Sequence, residues 1–196
     1  MGDAAEKDRF DDLYRLLEDV PEGHFAEIVA GEIRVLPRPG PRHARAASRL
    51  DRRLGSEFDF DADGPGGWVI LVEPDVRFGD ELRAPDLAGW RLDRYREPGR
   101  GPHVIIPNWI CEVLSPSTAR SDRAEKLPLY ATHGVEHVWL IDPDAATIEI
   151  YRRQAELWLL VATHAGDAQV RAEPFDAIEL DLGALWRTPG SGPVGK

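Results

Sequence analysis

Apolar and polar positions follow one another along this chain in patterns that predict a mixed α/β protein. The clearest stretch is Pro107-Asn108-Trp109-Ile110-Cys111-Glu112-Val113-Leu114-Ser115-Pro116. In an extended strand Trp109, Cys111 and Val113 would project to one side, Ile110 and Leu114 to the other. Both faces are apolar, so a central strand covered on both sides is expected. Glu112 is the anomaly within it. A lone carboxylate there is costly unless it is protonated, hydrogen-bonded or holding a cation.

Before this strand, Asp11–Glu18 has the spacing of a short amphipathic helix that stops ahead of Pro21. Phe25–Ala30 and Glu32–Leu36 read as two short strands turning at Ala30-Gly31. Phe25, Glu27 and Val29 share a face of the first, which sets a second acid between apolar neighbours; an edge-strand glutamate reaching solvent is the plainer reading. Arg42–Phe58 has helical spacing, with Ala47, Leu50, Leu54 and Phe58 as its apolar stripe and Arg42, Arg45, Arg49, Arg52 and Arg53 on the remaining surface. After a polar loop at Asp59–Gly67, Trp68–Phe78 alternates as a strand carrying Glu73. Gly79–Arg83 turns, and Pro85–Trp90 forms the next strand, with Asp86 at its start. Strands adjacent in sequence usually pair, so the Asp86 and Glu112 strands are expected side by side and antiparallel.

Beyond Ser115-Pro116-Ser117-Thr118 a helix is expected to end at His133, with Gly134 as its C-cap. Asp122 and Glu125 resemble a capping pair, although Pro128 conflicts with so early a start. Lys126 and Tyr130 stand one turn apart on that helix. Val135–Asp142 reads as a further buried strand, Thr147–Arg152 and Leu157–Thr163 as a hairpin, and Ala177–Leu182 as a last strand. A single domain over residues 1–187 is expected, followed by a disordered Gly- and Pro-rich tail at 188–196.

Composition narrows the picture. The 196 residues contain no apolar run long enough to span a bilayer, and the N-terminus lacks the features of a signal peptide. Cys111 is the one cysteine, so neither an internal disulfide framework nor a zinc cluster is expected, and a reducing cytoplasm suits the chain. The formal net charge of -11 argues against nonspecific coating of nucleic acid. The arginines of the 42–58 helix are a local exception, read either as a solvated face or as a surface that tracks phosphates.

Two strand carboxylates brought together repel each other unless a cation neutralises them. Asp86 and Glu112 offer only oxygen, to which the Val113 carbonyl could add, and oxygen donors favour Mg²⁺ or Mn²⁺ over zinc. A metal so placed could polarise a phosphoryl oxygen and acidify a water. Lys126, one of three lysines in a chain that otherwise uses arginine, could orient that water or offset charge on phosphorus. His43, Arg45, Arg49, Ser115 and Tyr130 are weaker candidates for substrate contacts. Serines ahead of a helix commonly just satisfy backbone groups.

Taken together, Glu27 within FAEIVAGEIRVLP, His43, Pro85-Asp86, WICEVLSPST, Lys126, Tyr130 and GVEHVWLIDP resemble the Uma-two family of restriction-endonuclease-like proteins, in the PD-(D/E)XK nuclease superfamily. The likeness runs from the first helix to about Leu182. It implies an αβββαβ core with a mixed sheet flanked by helices, plus an N-terminal helix and hairpin. It also implies Asp86 and Glu112 as metal ligands, Lys126 as the catalytic lysine and Glu27 as a further acid. Leu114 stands where the superfamily motif expects lysine. The expected activity is that of a Mg²⁺- or Mn²⁺-dependent endonuclease acting on DNA, possible as a homodimer. The alternative is a nuclease fold retained, without catalysis, for binding nucleic acid or protein.

Overall fold

In the computed structural model, which describes residues 2–59 and 64–188, the secondary structure runs as follows. Helix α1 (Gly2–Leu16) and a 3-10 turn lead into strands β1 (His24–Val29) and β2 (Glu32–Pro37), then helix α2 (Pro41–Phe58). Strands β3 (Trp68–Val72), β4 (Val76–Phe78), β5 (Glu81–Arg83), β6 (Leu87–Arg91) and β7 (Trp109–Val113) follow. A helical segment comes next: α3 (Ala119–Ser121), a π turn (Asp122–Lys126) and α4 (Leu127–His133). The chain continues through β8 (His137–Asp142), β9 (Thr147–Gln154), β10 (Leu157–Ala165), β11 (Gln169–Val170), β12 (Leu180–Asp181) and α5 (Gly183–Trp186). The tail expected at 188–196 lies, past Thr188, outside the described residues.

These strands form two principal sheets because the alternation from Trp68 to Phe78, expected as one strand, breaks at Glu73-Pro74. Glu73 adopts a left-handed φ of 48°, and Pro74 has no N–H for a ladder. The piece before the break, β3, joins a six-stranded sheet ordered β10-β9-β8-β7-β6-β3; the piece after it, β4, joins a four-stranded sheet ordered β2-β1-β5-β4. Gly79–Arg83, expected as a turn, contains the turn at Gly79 and then β5, which pairs with both β4 and β1. The last strand shrinks from Ala177–Leu182 to the two residues of β12, paired with β11.

In the larger sheet β7 and β8 are parallel and the other neighbours antiparallel. The split of β7 into two apolar faces holds. Trp109, Cys111 and Val113 enter the core beneath α2, with its buried Ala47, Leu50, Leu54 and Phe58, while Ile110 and Leu114 enter the core shared with α4. Phe175 closes the first core, its ring 4.8 Å from Phe58 and Trp68 and 4.9 Å from Trp109. Taken in order, α2, β3, β6, β7, α4 and β8 make the expected αβββαβ arrangement, with β4 and β5 leaving it for the second sheet. Among the described residues no helix is long and apolar enough to cross a membrane.

Candidate active site

β6 and β7 pair antiparallel with Leu87 opposite Cys111 and Ala88 opposite Ile110. The next pair outward in that register is Asp86 and Glu112, the acids expected to meet. Asp86 precedes the ladder, so its carboxylate is free to turn onto the neighbouring backbone. Its Oδ2 accepts the Val113 N–H at 2.7 Å and lies 3.1 Å from His43 Nε2. His43 is thereby a buried support for Asp86. Because Val113 donates toward Asp86, its carbonyl, which leaves the strand on the same side, also faces the edge where β6 has not yet begun.

Glu112 projects into the α4 side of the sheet, and the helical segment there meets it with two donors. Tyr130 donates its hydroxyl to Oε1 at 2.5 Å, and Lys126 donates from Nζ to Oε2 at 3.0 Å. The π turn makes this possible. Its wider backbone bond, from the Leu127 N–H to the Asp122 carbonyl, moves Pro128 into the opening of α4, where a missing N–H is tolerated. It also turns both Asp122 and Lys126 inward while Arg123, Ala124 and Glu125 stay exposed. The expected Asp122–Glu125 capping pair does not form: Asp122 Oδ1 lies 3.3 Å from Lys126 Nζ, and Glu125 accepts from Arg34 on the surface. π turns are often found at functional sites.

A third element completes the cluster. Glu27 on β1 faces Arg83 on β5, the two lying opposite in the register set by Ile28 and Leu82. Arg83 donates from Nη1 to Glu27 Oε2 at 3.1 Å, and the Ala84 N–H donates to Oε1 at 3.4 Å. Glu27 is 1% exposed, so the solvent-reaching alternative does not hold. Its Oε1 lies 3.6 Å from Lys126 Nζ.

The electrostatics follow from burial. Loss of water pushes the Glu112 carboxyl up to about 8, against the pull of Lys126 and with the Asp122 and Asp86 charges adding to it. Burial raises Asp122 as well. Burial alone would lower Lys126, but Glu112, Glu27, Asp122 and Asp86 outweigh it and keep the ammonium charged. The Tyr130 phenol is pushed up by burial and by Glu112. Five carboxyls, Glu27, Glu81, Asp86, Glu112 and Asp122, thus share two strong cations, Lys126 and Arg83.

A pocket of about 380 Å³ opens on this cluster, lined among others by Asp86, Glu112, Val113, Ser115, Asp122 and Lys126, with Arg38, Arg42 and His43 on its α2 side. Oxygen donors and a surplus of buried negative charge suit a hard divalent cation. Each Glu112 oxygen keeps a second lone pair beside its present hydrogen bond. Among the described residues no three His, Cys, Asp or Glu side chains form a ready-made cage, so such an ion would rest on Asp86, Glu112, the Val113 carbonyl and water.

The remaining candidates divide. Ser115 lines the pocket and exchanges hydrogen bonds with Ser117 and Thr118 at 3.0 Å. Tyr130 is wholly buried and touches Glu112. Arg45 and Arg49 are not brought to the carboxylates: Arg45 donates to Thr188, and Arg49 to the carbonyls of Ala184 at 2.5 Å and Arg187 at 2.7 Å, binding the C-terminal segment to α2. Asp75, which also follows a proline, accepts from Tyr14 at 3.2 Å. Arg83, Asp122 and Arg38 carry no motif in sequence; of these only Asp122 offered a signal, its place one helical turn before Lys126.

Comparison with known proteins agrees with this architecture. A crystal structure from Anabaena variabilis ATCC 29413, described as "a putative nuclease belonging to DUF820", matches with a TM-score of 0.71 at 24% identity, covering 90% of this chain and 96% of that one. A search of curated proteins yields no match. The sequence profile of Uma2, "Putative restriction endonuclease", matches residues 10–183, nearly the full length described, and the chain belongs to that family.

Proposed function

We propose that this protein is a Mg²⁺- or Mn²⁺-dependent endonuclease that hydrolyses phosphodiester bonds in DNA. The observation that carries the reading is the meeting of Lys126 with Glu112, 3.0 Å apart, beside Asp86 in a solvent-open pocket. The family and the nuclease described from Anabaena variabilis support it. Asp86, Glu112 and the Val113 carbonyl would hold the ion, which supplies Lewis acidity toward the phosphoryl oxygen and acidifies a water.

The chain's own residues do the rest. His43 and the Val113 N–H fix the Asp86 carboxylate, and Tyr130 fixes Glu112 from behind. Lys126, kept charged by its carboxylates, sets a positive charge where the phosphoryl group gains negative charge. Arg38 and Arg42 at the pocket mouth, paired with Glu73 at 3.6 Å and Asp144 at 3.0 Å, are exposed enough to exchange those partners for flanking phosphates. Cutting both strands calls for two pockets, so the reading includes a homodimer, to be checked by light scattering.

The test is cleavage of plasmid and oligonucleotide DNA with Mg²⁺ or Mn²⁺, expected for the wild type and lost in Asp86→Ala. Cleavage that persists in the variant sinks the assignment. Leu114, buried where the superfamily motif expects lysine, favours a second reading, a noncatalytic nucleic-acid-binding module. No heat on titrating Mn²⁺ to millimolar concentration would select that reading.

A further inference from the structure

We infer that Lys126 is held as a fixed internal cation in a cage of carboxylates, so that the site takes one divalent ion beside Asp86 rather than a pair. This rests on the metal-dependent reading above. Carboxylates from three separate elements converge on one atom: Lys126 Nζ lies 3.0 Å from Glu112 Oε2, 3.3 Å from Asp122 Oδ1 and 3.6 Å from Glu27 Oε1. Among the described residues no His, Cys, Asp or Glu trio is gathered as a metal cage. Where these acids converge, an ammonium stands at the centre.

The cage is built into the fold. Glu27, Glu112 and Asp122 are 1%, 2% and 1% exposed. Arg83 and the Ala84 N–H fix Glu27, Tyr130 fixes Glu112, and the π turn fixes Asp122. An ammonium offers three donors around a compact charge, which suits three acceptors from different directions; the planar fork of arginine does not. Two-ion sites hold their ions about 4 Å apart. The place a second ion would take, among Glu27, Glu112 and Asp122, is filled by the ammonium.

The experiment counts Mn²⁺ ions bound to the full chain by calorimetry and by electron paramagnetic resonance, without DNA. The wild type is expected to bind one ion, Asp86→Asn none, Lys126→Arg one, and Lys126→Ala two. Two ions in the wild type, or a count that stays at one in folded Lys126→Ala, overturns the inference while leaving the metal-dependent reading intact. A wild type that binds no Mn²⁺ overturns both. Should Lys126→Ala fold only when Mn²⁺ is added, two ions in the folded form support the cage. If it folds under no condition, the wild-type count decides: one ion supports the inference and two overturn it.

Discussion

Lys126 and Glu112 meet at 3.0 Å across fourteen residues of chain, one from a π turn and the other from the middle of a fully buried strand. Removing the lysine leaves Glu112 protonated beside Tyr130 and takes the ammonium away from the buried Asp122 and Glu27 carboxyls. Lys126→Ala is expected to lose cleavage and about 3–5 kcal/mol of stability. Urea unfolding alongside a plasmid-nicking assay checks both. Full stability in the variant would mean that the buried carboxyls do not depend on the ammonium.

The raised Glu112 pKa sets the pH dependence of the ion-free protein. This carboxyl ordinarily loses its proton near 4.5 and in the fold near 8. Between those values the folded chain holds a proton that the unfolded chain lacks. Its stabilising contribution is therefore whole below pH 4.5, declines as pH rises, and is gone above pH 8, a loss on the order of a few kcal/mol. Cation binding displaces that proton, so Mg²⁺ should raise the melting temperature more at pH 8 than at pH 6. Melting curves across this range, with and without Mg²⁺, give the answer, and an Mg²⁺ effect that shrinks with pH contradicts it.

Arg38 and Arg42 stand at the pocket mouth, whereas Arg49 is bound into the C-terminal segment. Arg38→Ala and Arg42→Ala are each expected to weaken DNA binding for all sequences alike and to reduce the salt dependence of log K by about 1. Arg49→Ala should leave that slope unchanged and lower stability. Fluorescence anisotropy over a range of salt concentrations distinguishes the three.

Phe175 touches Phe58, Trp68, Trp109 and Trp139 with no exposure of its own. Phe175→Ala would open a cavity among four rings that cannot collapse into it, costing about 3–5 kcal/mol. Metal affinity should be unchanged in the folded fraction, since the ring lies on the α2 side of β7 and Glu112 on the other. Chemical unfolding and Mn²⁺ titration read the two quantities.

Cys111 is wholly buried, and burial raises its thiol well above the ordinary range. Ellman's reagent should react with it only after the chain unfolds. Rapid reaction of the native protein would show that β7 opens locally.

What could be read from sequence follows from whether the evidence is local. The two faces of β7 and the antiparallel pairing of the Asp86 and Glu112 strands depend on alternation and on neighbouring strands, and both are correct. Glu27 looked capable of reaching solvent because its covering partner, Arg83, is 56 residues away. The break at Glu73 leaves the alternation unbroken on either side, so β3 and β4 look continuous until they pair with different sheets. Pro128 did signal an irregular helix. The pattern could not say that a wider turn would absorb it and turn Asp122 toward Lys126 instead of Glu125. Nor does an arginine's place on a helix reveal that Arg49 would find the carbonyls of Ala184 and Arg187 rather than phosphates.

The π turn also makes the spacing between α3 and α4 a matter of counting. Each residue advances an α-helix by about 100°, and the turn absorbs its extra residue just before Pro128. Deleting one residue from 123–125 would restore regular α pitch and swing Lys126 off the Glu112 side, leaving every catalytic side chain present in composition. The chain's reading frame here is therefore a rotational one, open to damage by a single in-frame codon loss that no inventory of residue types would flag.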